Sequence, residues 1–250
     1  MKFKWIVEDV DISAVKRLVE EKGNTLFVKS RMAKNVIGTN RPEINETNIW
    51  YSMISCLVTT QQRSGPDSKV NKFLTEKPFS LSLENCRKSK NLLDVMSTII
   101  SSKGIRRNIT ISEQAVRNFT SLESDNWKVV KDILLELSNN SNREIERKAA
   151  RKVQDYFTGF GPKQSRNFLQ SLGLTKFEIP IDSRITKWLN EFGFPIKLSS
   201  NSLSDQNYYE FILDAVIQLC DACDIYPCIL DAVVFSNSDK ANWKDENLVW

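Results

Sequence analysis

Lys163 and Asp182, nineteen residues apart, are of the types that could form and stabilise a covalent intermediate. Lys163 follows Gly159-Phe160-Gly161-Pro162 and opens a helix expected over Lys163 to Leu172. The positive end of a helix dipole disfavours an ammonium there and depresses its pKa, which favours the free amine of a Schiff-base nucleophile. A solvated lysine contacting phosphate is the other reading of that position. Asp182 precedes an apolar-periodic helix, Ser183 to Phe192, and is a favoured N-cap. A carboxylate held rigid and ionised in that way also suits a group facing a developing cation. Gly159 and Gly161 let the chain turn sharply and expose backbone N–H groups to a phosphate oxygen, although such a turn also serves as a plain connection.

Other chemistries are excluded by composition. The 250 residues include no histidine, so a Ser-His-Asp triad, a His-ligated metal and a His general base are ruled out. The five cysteines show no disulfide framework. Cys220, Cys223 and Cys228 offer three thiols where an iron-sulfur cluster uses four, and Cys220 and Cys223 share a helical face with Tyr208, Ile212, Ala215, Val216 and Leu219. They read as core thiols, and neither a metal nor an organic cofactor is expected. No apolar run is long enough to span a bilayer, and Met1 to Asp11 is charged and too short for a secretory signal, so an intracellular protein without a membrane partner is expected.

The elements that must position these residues read as helices nearly throughout, because Gly and Pro are scarce and apolar residues recur every three or four positions. Helices are expected at Val10 to Glu21, Asn48 to Gln62, Ser68 to Thr75, Ser82 to Ser102, Ser112 to Phe119 and Asp125 to Leu137, with Gly23 to Asn40 as a connecting stretch. Arg143 to Phe157 is basic and amphipathic, and with the turn and the helix after it forms a helix, hairpin, helix unit over 143–172. Ser141 to Lys176 carries eight Lys/Arg against three Asp/Glu, and Asn201 to Trp250 carries two against nine. That contrast suggests a polarised surface.

Gly159-Phe160-Gly161-Pro162-Lys163-Gln164-Ser165, followed by Ile179-Pro180-Ile181-Asp182-Ser183-Arg184-Ile185, resembles the hairpin, lysine and Asp loop of the helix-hairpin-helix DNA glycosylases. Leu57 to Gln62 resembles the family's wedge-bearing helix end, and Lys103 to Asn108 a segment of the short microbial 8-oxoguanine glycosylases. Asp231 to Ser236 resembles the closing helix that contacts the flipped base, so the matching pieces cover 45–236. Three features depart from the pattern: Arg184 stands where histidine is common, Gln164-Ser165 where small alanine is usual, and the cysteine spacing lacks the four-cysteine loop of other branches.

The resemblance implies an all-α fold of two helical subdomains with a DNA-binding cleft between them. One 250-residue domain is expected, with a central subdomain over 45–157 and a terminal one built from 1–40 plus 190–250. It further implies a monomeric base-excision enzyme acting on double-stranded DNA that contains a damaged base, 8-oxoguanine foremost, with an associated lyase step. Lys163 and Asp182 would be catalytic, and Gly159, Gly161 and Arg184 would hold the DNA backbone. Gln61 or Gln62 would enter the base stack, though each also reads as a polar helix end. Asp231 and Phe235 would read and stack the extruded base, Phe235 being equally suited to plain core. Trp250 or Trp243 would complete that pocket or pack on a neighbouring helix. A same-fold glycosylase for a mismatched or alkylated base, and a non-catalytic DNA-binding module, are the alternatives.

Overall fold

In a computed structural model of the chain, residues 4–199, 201–238, 243, 244 and 248 are described, the side chain of residue 125 excepted. Among them the regular structure is helical, as expected. The helices are α1 (Asp9–Lys22), α2 (Leu26–Arg31), α3 (Glu46–Val58), α4 (Lys69–Leu74), α5 (Leu83–Lys88), α6 (Leu92–Ser102) and α7 (Asn108–Ser121). They continue with α8 (Trp127–Asn139), α9 (Arg143–Tyr156), α10 (Pro162–Ser171), α11 (Ser183–Phe192), α12 (Gln206–Ala222) and α13 (Pro227–Ser238). None is long and apolar enough to cross a membrane.

Two apolar cores organise these helices. One is built from α3 to α10, with Trp50, Met53, Met96, Leu134 and Phe168 at its centre. The other joins α1 and α2 to α11, α12 and α13 through Val15, Phe27, Leu189, Tyr209 and Val233, so the two ends of the chain share it. The helix starts carry the side chains that satisfy orphan N–H groups: Asn45 accepts from Asn48 N at 2.9 Å, and Asn142 from Ile145 N at 3.0 Å. Cys220, Cys223 and Cys228 are buried in the second core.

Four stretches differ from the sequence expectation. Gly23 to Asn40 contains α2 and a π-helical turn, Met32–Ile37, rather than a bare connection. Its inward face includes Arg31, Lys34 and Asn35, so polar residues hide the periodicity. The helix expected at Ser82 to Ser102 is two, because Ser89 is extended and Asn91 caps a new start. α3 stops at Val58, with Gln61 in the left-handed region at φ 57°. α7 starts at Asn108, earlier than expected, and passes through a π turn, Leu122–Asn126, into α8.

The basic face of α9 meets the acidic face of α12. Arg143 pairs with Asp221, Arg147 with Asp214 at 2.6 Å, and Arg151 with Glu210. The charge contrast in the sequence is therefore spent in part between helices, which corrects the expectation that it polarises the surface.

Candidate active site

The hairpin between α9 and α10 is fixed from both sides. Gly159 has φ 88°, and a Cβ there would lie 2.4 Å from the Gln114 side chain, so the position requires glycine. At Gly161 a Cβ would meet nothing within 4 Å, which leaves open space over the backbone that starts α10. Phe160 packs on Phe157 and Phe168, at 5.1 and 5.9 Å between ring centroids. Buried Asn118 clamps the turn, accepting from Thr158 N at 2.8 Å and donating to Thr158 O at 3.1 Å.

Pro162 occupies the first position of α10, where its missing N–H costs nothing, and Lys163 follows. Burial holds the Lys163 ammonium below its usual pKa; Asp182, Cys56 and Asp231 oppose that shift and Arg184 adds to it. Its Nζ donates to Gln164 Oε1 at 3.2 Å. Gln164 is itself anchored, donating from Nε2 to Cys56 O at 2.5 Å and Thr60 Oγ1 at 2.6 Å. Gln164 thus ties the lysine to α3.

Asp182 is the N-cap of α11. Its Oδ1 accepts from Arg184 N at 2.8 Å and Ile185 N at 3.1 Å, and its Oδ2 from the Arg184 guanidinium. Burial acts to raise its pKa, but Arg184, Lys163 and the cap hydrogen bonds outweigh it and hold the carboxyl below the usual value. The segment leading to it is pinned by buried polar groups. The Glu146 carboxylate accepts from the N–H groups of Lys176, Phe177 and Glu178, and its burial, only partly offset by those bonds, raises its pKa. Tyr209 Oη donates to Ile179 O at 2.8 Å and accepts from Ile181 N at 2.6 Å. Buried Arg166 joins Glu178 at 2.8 Å and Glu210 at 3.4 Å.

Lys163, Asp182, Arg184, Asp231 and Phe235 line one pocket at the seam between the two cores, together with Phe27, Arg31 and Gln170. Asp231 is buried, its carboxyl pushed up to about 6 by desolvation, with Arg31 Nη1 3.8 Å away. Phe27 stacks on the Phe235 ring at 4.7 Å, and the Arg184 guanidinium lies 3.7 Å from that ring's centroid. Trp243 packs against both phenylalanines. The free volume left is about 40 Å³, little more than one water molecule occupies in the liquid. A larger groove of about 940 Å³ lies elsewhere, between α9 and α12, and is bridged by the ion pairs described above.

Gln61 and Gln62 are not part of the pocket. Gln61 is exposed, and its carbonyl accepts from Arg106 Nη2 at 2.8 Å. Gln62 is engaged at both ends of its amide, donating to Val58 O and accepting from Arg106 N at 3.1 Å. Trp250 lies outside the described residues. Sequence reasoning missed Phe27 and Arg31, whose spacing of four on α2 was the available signal, and also Asn118 and Gln170. Among the described residues, no group of three or more His, Cys, Asp or Glu side chains is placed to hold a metal ion.

Neither a family model nor a curated protein sequence matches the chain. A solved structure does: the 8-oxoguanine glycosylase/lyase of Methanocaldococcus jannaschii, crystallised with a 15mer DNA containing 8-oxoguanine. The match has 17% sequence identity and a TM-score of 0.67, and covers 93% of this chain and 100% of that one. The chain therefore has the all-helical fold of that glycosylase/lyase.

Proposed function

We propose that the chain is a DNA glycosylase with an associated lyase step that excises an oxidised purine, 8-oxoguanine foremost. The observation that carries this reading is the pairing, in one pocket, of a lysine amine with lowered pKa and an N-cap carboxylate held ionised. The fold shared with the M. jannaschii enzyme and the sequence resemblance support the DNA substrate; the choice of lesion rests on them alone.

In the proposed reaction the hairpin holds the DNA backbone through the open N–H groups at Gly161, and the damaged nucleotide is extruded into the pocket. Gln61, the exposed member of its pair, fills the gap left in the stack. Phe235 offers its face to the base and Asp231 accepts from its N–H groups. Arg184 now covers that face, so it must swing aside, and from there its guanidinium can reach a phosphate. Asp182, released on its Oδ2 side, faces the positive charge that develops on the sugar. Lys163 Nζ bonds to C1′ as the bond from C1′ to the base breaks and the base departs with a proton. The sugar ring opens to a Schiff base, and loss of a C2′ proton then expels the 3′ phosphate.

The test is incubation with duplexes bearing single lesions, with and without borohydride. A covalent protein-DNA adduct is expected from the wild type with 8-oxoguanine, and Lys163→Gln should abolish it. An adduct that persisted in Lys163→Gln would place the nucleophile elsewhere, and the absence of excision across a full lesion panel would leave a DNA-binding module.

A further inference from the structure

A second cavity, of about 290 Å³, follows the reaction pocket along the same three helical segments. Phe27 and Arg31 face the reaction pocket, whereas Ser30 and Lys34 face this cavity. Thr59, the C-cap of α3, faces the former, and Ser55 and Ser52, one and two turns earlier, face the latter. Gln170 and Ser171 divide in the same way.

Lys34 is the unusual residue. It is only 8% exposed, and among the described residues no carboxylate lines the cavity and no acceptor bonds its ammonium. Burial, reinforced by neighbouring Arg31, pushes its pKa down to about 7. A flexible lysine would ordinarily reach water rather than remain in such a place. Its stem is closely packed: Gly173, at φ 73°, comes so close that a Cβ would lie 2.7 Å from Lys34 Cγ and 2.9 Å from Arg41 Cγ. The π-helical turn Met32–Ile37 carries Lys34, a kind of irregularity frequent at functional sites.

We propose that this cavity is the recess that receives the oxygen-bearing edge of the extruded base, with Lys34 as the donor that selects for it. The inference rests on the glycosylase reading above. Lys34 and the hydroxyl groups of Ser30, Ser52, Ser55 and Ser171 form a donor-rich lining, matched to exocyclic carbonyl oxygens. Lys34 is the one charged side chain among the described lining residues, and its ammonium can donate to a carbonyl oxygen. With Asp231 accepting N–H groups on one side and Lys34 donating on the other, the combined site favours an oxidised base over an alkylated one. Alkylation adds no acceptor.

The experiment compares Lys34→Met and Lys34→Gln with the wild type on two substrates: a duplex with 8-oxoguanine, and one with a preformed abasic site, which has no base to occupy the recess. Single-turnover excision of 8-oxoguanine is expected to fall about 10- to 100-fold in both variants. Borohydride trapping on the abasic site should stay within about threefold of the wild type, showing that both variants fold and keep their nucleophile. Excision that remained within threefold would overturn the recess, and so would equal losses on both substrates. Inhibition of the wild type by inorganic phosphate, relieved in Lys34→Met, would reassign the cavity to an anion and also overturn it. A wild type inert on both duplexes would instead defeat the glycosylase reading itself.

Discussion

The turn from Thr158 to Lys163 is shaped by residues adjacent in sequence, with Asn118 and Gln114 as its main outside supports. The pocket beside it draws Phe27, Lys163, Asp182 and Phe235 from segments up to 208 residues apart. A local turn can form wherever its glycines and caps are present. The pocket exists only when both cores are complete and meet at their seam. On the proposed function, the consequence is a division of labour in which DNA holding would depend on a short motif and base discrimination on the whole fold.

That contrast is sharpened most by Asp182→Asn. Asparagine is as good an N-cap as aspartate, so α11 should keep its start and the melting temperature should change little. The charge facing the sugar is lost, and excision should fall by roughly 100- to 1,000-fold, as when one electrostatic stabiliser is removed elsewhere. A loss of stability matching the loss of activity would make Asp182 a structural residue only.

A smaller effect is expected from pH. A carboxyl pushed up to about 6 is ionised at pH 7.5 and protonated at pH 5, so Asp231 stops accepting N–H groups as pH falls through that window. Excision should therefore decline with an inflection near 6, and Asp231→Asn should flatten it at a low plateau. An acidic limb unchanged in that variant would belong to protonation of Lys163 instead.

The smallest effects test the hairpin. Gly159→Ala forces a left-handed conformation and crowds Gln114, and should cost about 1–2 kcal/mol in denaturant unfolding. Gly161→Ala meets no protein atom and should stay within about 1 kcal/mol of the wild type. Affinity for an undamaged duplex should nonetheless drop in Gly161→Ala, because the added methyl group occupies the open space that the proposed function gives to a phosphate. Unchanged affinity there would reduce the turn to a connection.

How legible each part was follows the same division. α11 was readable to its ends, because an aspartate cap, a clean apolar stripe and a terminal glycine agree. The turn and Lys163 were readable for the same reason. α2 was not, since its inward face mixes Phe27 and Val28 with Arg31 and continues into Lys34 and Asn35; polar residues that are buried because other chain segments enclose them leave no period in the sequence. Glu146 and Arg166 counted only toward the charge of Ser141 to Lys176, yet both are fully buried. They hold the segment before Asp182 through backbone N–H groups and Glu178, partners that lie 30 to 32 and 12 residues away.

The Arg184 guanidinium resting on Phe235 makes the pocket its own reference ligand. On the proposed function, any base swung out of the duplex competes with a planar cation already seated on the same ring and bonded to Asp182. A normal base that stacks no better than the guanidinium gains nothing by staying. Only a base that adds bonds elsewhere in the pocket shifts the balance, and the departure of Arg184 then uncovers the carboxylate. Recognition and activation would thus be a single exchange, with its threshold set by the protein's own side chain.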